Sequence, residues 1–157
     1  MEPAKELDIY RDTPLRLLGY ANELAEALRP VIHRYVLRTG YGVATLYMFA
    51  DVADKSYAQA KTSKPDDKHW MRTAIDVGIW QSLASLIVPS VFINRFGAAS
   101  RFLMLRATKL PVNRVTRISV ILSLATIPVI VKPIDKSVDF VMDTFIRDAL
   151  GTKNISE

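Results

Sequence analysis

The sequence predicts an all-α fold of multi-pass membrane helices, about three spans, with amphipathic helices on their flanks. Three apolar segments carry that expectation. Tyr35 to Ala50 is apolar but for Arg38, Thr39 and Thr45; Val77 to Ile93 is a run of 17 residues without a charge; Ile118 to Val131 is another, of 14. A bilayer span needs about 20 residues, with ~17 as a lower limit. The middle run qualifies unaided, and the other two reach length if Arg38, Arg117 and Lys132 snorkel to span ends. A helix in a soluble core normally keeps a polar face. Val77–Ile93 offers only Gln81 and scattered serines, and Ile118–Val131 only Ser119, Ser123 and Thr126. A chain of 157 residues is too short to cover two such helices with protein.

Composition alone leaves the class open. Half of the residues are apolar, 24% are charged and none is cysteine, with a mean hydropathy of +0.13. The length suits one domain, read here as a single membrane domain over residues 1–157. The lack of cysteine excludes a disulfide scaffold, a thiolate zinc site, a cysteine nucleophile and a redox dithiol. A net charge of +5 fits nucleic acid and anionic lipid alike.

The first eight residues carry three acids, unlike a secretory signal or a transit peptide, so targeting is expected to be internal. Thr13-Pro14 reads as a helix start, and Leu17, Ala21, Leu24 and Leu28 recur at helical spacing with Arg16, Glu23 and Glu26 off that stripe. Pro30 sets the boundary of this amphipathic segment, residues 1–30. It fits a surface helix on a protein core or an interfacial membrane helix. The spans are placed at about 35–50, 75–93 and 115–134. Each holds a small-xxx-small pair, Gly40/Ala44, Gly78/Ser82 and Ser119/Ser123, which lets helix backbones approach closely. Pro89 and Pro128 lie inside the second and third spans, where each removes a backbone donor. Residues 61–68 read as a polar loop, with Asp66 or Asp67 capping the next helix.

Residues 94–114 form a basic amphipathic connection. From Asn94 to Arg117 there are six basic residues (Arg95, Arg101, Arg106, Lys109, Arg114 and Arg117) and no acid, interleaved with Phe96, Phe102, Leu103 and Leu105. This suits a helix on an anionic lipid surface, flanking charge that sets orientation, or, more remotely, nucleic acid. The basic residues divide almost evenly between the two sides of a three-span topology, so orientation stays open. Residues 136–150 form a C-terminal amphipathic helix, with Val138, Val141, Met142, Phe145 and Ala149 on one stripe and Asp139, Asp143 and Arg147 on another. Gly151 stands where a helix ends.

The chain shows no catalytic residues, no cofactor-binding motif and no metal-ligand spacing. His33 and His69 lack paired acids. Gly40-Tyr-Gly42 lacks the third glycine of a dinucleotide loop. The segment Lys132–Val138 departs from the carrier signature at Val138. Arg38, Asp76 and Gln81 are the candidate intramembrane polar residues, with Arg38 and Asp76 either paired or snorkelling to opposite rims.

Several motifs in order along nearly the whole chain carry a family resemblance. They are Asp8-Ile-Tyr-Arg-Asp-Thr13, Leu18-Gly-Tyr-Ala-Asn-Glu23, Tyr41-Gly-Val-Ala44, Ala50-Asp-Val-Ala-Asp-Lys55, Trp80-Gln-Ser-Leu-Ala-Ser85, Thr126-Ile-Pro-Val-Ile130 and Pro133-Ile-Asp-Lys-Ser-Val-Asp-Phe140. The chain resembles the mitochondrial fission process protein family. The resemblance implies a multi-pass protein of the mitochondrial inner membrane, linked to mitochondrial division and to sensitivity to apoptosis, and it brings no catalytic residues. The expected role is structural or adaptor, with membrane lipids (cardiolipin among them) and fission proteins as partners, oligomerisation open and no nucleic acid. The alternative is a small transporter, channel or modulator of membrane leak, suggested by Arg38, Asp76, Gln81 and the two prolines.

Overall fold

The structure, a computed structural model, describes Tyr10, Pro14, residues 16–62 and residues 69–150. Its elements are α1 (Arg16–Gly19), α2 (Ala21–Leu28), α3 (Arg34–Thr62), α4 (His69–Gln81), α5 (Val88–Ala107), α6 (Val112–Val141) and α7 (Arg147–Leu150). A π-helical turn, Ser82–Ile87, joins α4 to α5, and another, Met142–Ile146, joins α6 to α7. The result is three long rods, α3, α4–α5 and α6–α7, with the short α2 wedged among them. No strand occurs among the described residues. Thr13, Asp66, Asp67 and Gly151, the expected cap residues, lie outside the described residues, as does the loop from position 63.

The π turn before Pro89 has a local cause. Pro89 has no N–H to donate to the carbonyl of Ser85, four residues earlier, and a π turn is one way a helix absorbs that loss. The freed Ser85 carbonyl accepts a hydrogen bond from Asn22 Nδ2 at 3.0 Å. Pro128 and Pro133 lie inside α6 without ending it, so the C-terminal amphipathic segment is the continuation of the third rod and not a separate helix. In the same way α5 runs on past Ile93 to Ala107. The basic segment is therefore the tip of a hairpin, turned at residues 108–111, rather than a helix lying apart from the spans.

Small residues set the closest approaches. A Cβ on Gly40 would stand 2.7 Å from both the Ala21 carbonyl oxygen and Ala25 Cβ, so α2 rests directly on the backbone of α3. Ala44, one turn on, is buried on the same face. Gly97 lies against Ser123 Oγ, and Ser119 Oγ donates to the Gly97 carbonyl at 2.8 Å, which joins α5 to α6. Gly78 meets Val52 at ordinary distance.

Cross-contacts fix the register of the rods. Ser82 Oγ meets Met48 Sδ at 3.4 Å, Gln81 bonds Asp51, and Trp80 Nε1 donates to Asp139 at 2.8 Å. Together with the Gly97–Ser119 contact, these place the apolar stretches of α3, α4–α5 and α6 side by side. Arg38, Arg101 and Arg117 stand at or beyond one rim, and Asp51, Asp76 and Asp139 near the other. The main apolar cluster joins Trp80, Ala84 and Ile93 to Ile127, Ile130, Ile134, Val138 and Met142, with Ala27 of α2 among them.

Candidate functional site

Acidic and amide side chains are buried beside the apolar core. In α2, Glu23 is 1% exposed and Glu26 4%, whereas Leu24 is 45% exposed and Leu17 of α1 65%. Of the apolar stripe Leu17, Ala21, Leu24 and Leu28, the leucines at 17 and 24 point outward and Ala21 and Leu28 are partly buried, while the acids point in. In water that arrangement is unfavourable, since buried polar groups cost free energy and exposed leucine gains none. It is the arrangement a hydrocarbon solvent selects, because lipid accepts the leucines and the polar groups find partners inside. The long rods agree: Leu46, Phe49, Val91, Phe92, Ile121, Val129, Phe140 and Phe145 are all exposed.

The buried polar side chains form a connected column. At one end Lys55 Nζ lies 2.8 Å from Asp51 Oδ1, and Asp51 accepts a hydrogen bond from Gln81. Ser85 Oγ donates to Gln81 Oε1 at 2.7 Å, and Asn22 Nδ2 joins the Ser85 carbonyl to Ser90 Oγ, the latter at 2.8 Å. At the other end Glu26 accepts from Arg29 at 2.5 and 2.7 Å, from Tyr41 Oη at 2.6 Å and from Asn94 Nδ2 at 3.1 Å. Burial works to raise the Glu26 pKa, but the hydrogen bonds from Arg29, Tyr41 and Asn94, with the Arg29 charge, outweigh it and hold the carboxyl below its usual range. A cavity of about 20 Å³ beside the column, lined by Tyr20, Glu23, Gln81 and Asp135, is large enough for one water.

A second cluster ties the third rod to the second. Arg147, buried, lies 2.7 Å from Asp143 Oδ1, 3.2 Å from Asp76 Oδ1 and 3.6 Å from Asp139 Oδ1. Asp76 is thus paired with Arg147 and not with Arg38, which is exposed on α3. The correction has a simple cause: the antiparallel rods bring the end of the third beside the start of the second, a juxtaposition invisible in sequence. Gln81 sits in the column, paired with Asp51.

The six basic candidates spread over the hairpin tip. Arg95, Arg106, Lys109, Arg114 and Arg117 are exposed, with the Arg106 guanidinium 4.4 Å from the Phe102 ring centroid. Arg101 differs, being partly buried, and its Nε has no hydrogen-bond partner among the described residues. His33 caps the start of α3, its Nδ1 accepting from Tyr35 N at 3.4 Å. Sequence reasoning missed Asn22, Glu26 and Asp51. The signal for Asn22 is Pro89 itself, which leaves a carbonyl that some side chain has to satisfy.

Two helical stretches, Trp70–Ala107 and Val112–Ala149, are long and apolar enough to cross a membrane, with mean hydropathies of 1.4 and 1.8 in their most apolar windows. Only 33% and 28% of those windows are buried within the protein, unlike the core helix of a soluble domain.

No solved structure matches the chain. Among known proteins it is similar to mitochondrial fission process protein 1 of Danio rerio, 44% identical over 157 residues, which cover 94% of each chain. The Homo sapiens protein of that name is 41% identical, covering 94% of this chain and 90% of its own. The Caenorhabditis elegans protein is 40% identical, covering 99% and 98%. The family model for Mitochondrial 18 KDa protein matches residues 8–68 and 58–142. On the matches across nearly its whole length, the chain belongs to the Mitochondrial 18 KDa protein family.

Proposed function

We propose that this chain is a multi-pass protein of the mitochondrial inner membrane that promotes mitochondrial division as a structural or adaptor element, without catalysis of its own. The division role comes from the names of its relatives. The observation that carries the membrane reading is the N-terminal pair α1 and α2, with Glu23 and Glu26 inside and Leu17 and Leu24 outside. In this reading α3 crosses alongside the two longer rods, because its apolar stretch is in register with theirs. The rods exceed the bilayer: 38 residues at ~1.5 Å each give roughly 57 Å, against a hydrocarbon core of ~30 Å. The basic hairpin tip therefore stands among headgroups, where anionic lipid, cardiolipin included, is the expected neighbour.

Alkaline carbonate should leave the chain in the membrane pellet of isolated mitochondria, and release into the supernatant overturns the membrane reading. Depletion should lengthen mitochondria, and unchanged networks after complete loss refute the division role. The polar column favours a second reading, a modulator of leak or a small transporter. Its members largely satisfy one another, so a structural role is preferred. Proton or ion flux into proteoliposomes above that of empty vesicles would reverse the preference.

A further inference from the structure

Between the end of α2 and the α5–α6 hairpin lies a cavity of about 130 Å³ whose wall includes Glu26, Arg29, Asn94, Arg101, Ser119 and Ser123. Its chemistry is that of an anion site with one unused donor. Arg29 and Asn94 already serve Glu26, and Glu26, held below its usual pKa, stays an anion that offsets Arg29. The charge of Arg101 is left over. Its Nε is inaccessible to solvent and has no hydrogen-bond partner among the described residues, which costs free energy unless a ligand supplies an acceptor. Every other charge from Asn94 to Arg117 is positive, so nothing on the hairpin neutralises it.

We infer that this cavity binds a single phosphate group, of a phospholipid headgroup or of free phosphate, through Arg101. Phosphate matches the planar guanidinium better than a carboxylate or chloride does, because it offers several acceptor oxygens to a fork of N–H donors. The serine hydroxyls of α6 provide further polar wall, and Gly97 and Ala98 leave the space. The headgroup source rests on the membrane reading above, which sets this end of the rods at the lipid–water boundary; the free-phosphate source does not.

The test uses the full chain in two arms. In detergent, inorganic phosphate is titrated against chloride at matched ionic strength, and thermal unfolding is followed by tryptophan fluorescence. In nanodiscs of phosphatidylcholine with or without phosphatidylglycerol, lipid retained after transfer to micelles is read by native mass spectrometry. The parent should bind in at least one arm. R101Q should weaken that binding about tenfold, the scale of one lost charge-assisted hydrogen bond. R101K should weaken it less, and K136Q, a substitution near the opposite end, should leave it unchanged. Retention of the anionic lipid with no phosphate response assigns the site to a headgroup; the reverse assigns it to free phosphate. Equal responses of parent, R101Q and R101K, or no response in either arm, overturn the inference. Because the detergent arm contains no bilayer and carbonate extraction tests insertion separately, failure of the site and failure of the membrane reading are distinguishable.

Discussion

The two ends of the bundle treat arginine in opposite ways. At one end Arg147 is enclosed by Asp76, Asp139 and Asp143, three carboxylates from two rods. At the other, Arg101 is partly buried with an idle Nε, and the hairpin around it holds no acid. The first arrangement spends its charge on holding helices together. The second keeps its charge for something outside the chain. A buried charge balanced within the protein contributes to fold, whereas a cluster of one sign left open contributes to encounter with the opposite sign.

The largest effect should come from breaking the closed end. Arg147→Ala strands Asp76 and frees the third rod, and should destabilise the protein by about 3 kcal/mol in unfolding from detergent micelles. An unchanged midpoint would mean the three carboxylates do not depend on Arg147.

Asn22→Ala removes the donor shared by Ser85 and Ser90 and leaves the carbonyl before Pro89 without its partner. It should cost about 2 kcal/mol by the same measurement, and Asn22→Asp should not rescue it, since a carboxylate donates nothing.

Acid should act through Glu26. Its folded pKa lies below its ordinary value, so its stabilisation is complete above the ordinary carboxylate pKa and disappears as pH falls through the depressed one. Glu26→Gln should therefore flatten the acid limb of the stability curve while leaving Tyr41 and Asn94 in place. An identical acid limb in parent and variant would exclude Glu26 as its source.

The smallest effect on stability should be at the open end. R101Q should unfold within ~0.5 kcal/mol of the parent while losing its anion, which separates the two ends by kind of effect as well as by size.

Much of this was legible in sequence because lipid-facing helices write their solvent into every position of the turn. Val77–Ile93 and Ile118–Val131 lack a polar face, and both lie in rods apolar and long enough to cross a bilayer. The Asp139/Asp143/Arg147 spacing also put three charges on one stripe of one helix. The direction of α2 was not legible. Its periodicity gives an apolar and a polar face, but which one turns inward depends on the solvent and on the partners waiting inside. Asn22 and Glu26 have such partners in Ser85, Ser90, Tyr41 and Asn94, residues far away along the chain.

By itself the amino-acid sequence determined helices, their approximate apolar lengths and the uneven spread of positive charge, all of which follow from local periodicity and side-chain transfer energies. The tertiary structure alone decided register: that Asp76 meets Arg147, that Asp51 meets Gln81, and that Arg101 Nε finds no hydrogen-bond partner among the described residues. Register depends on which small residues, Gly40 and Gly97 foremost, let two backbones touch, and local periodicity does not encode how far one rod slides along the next.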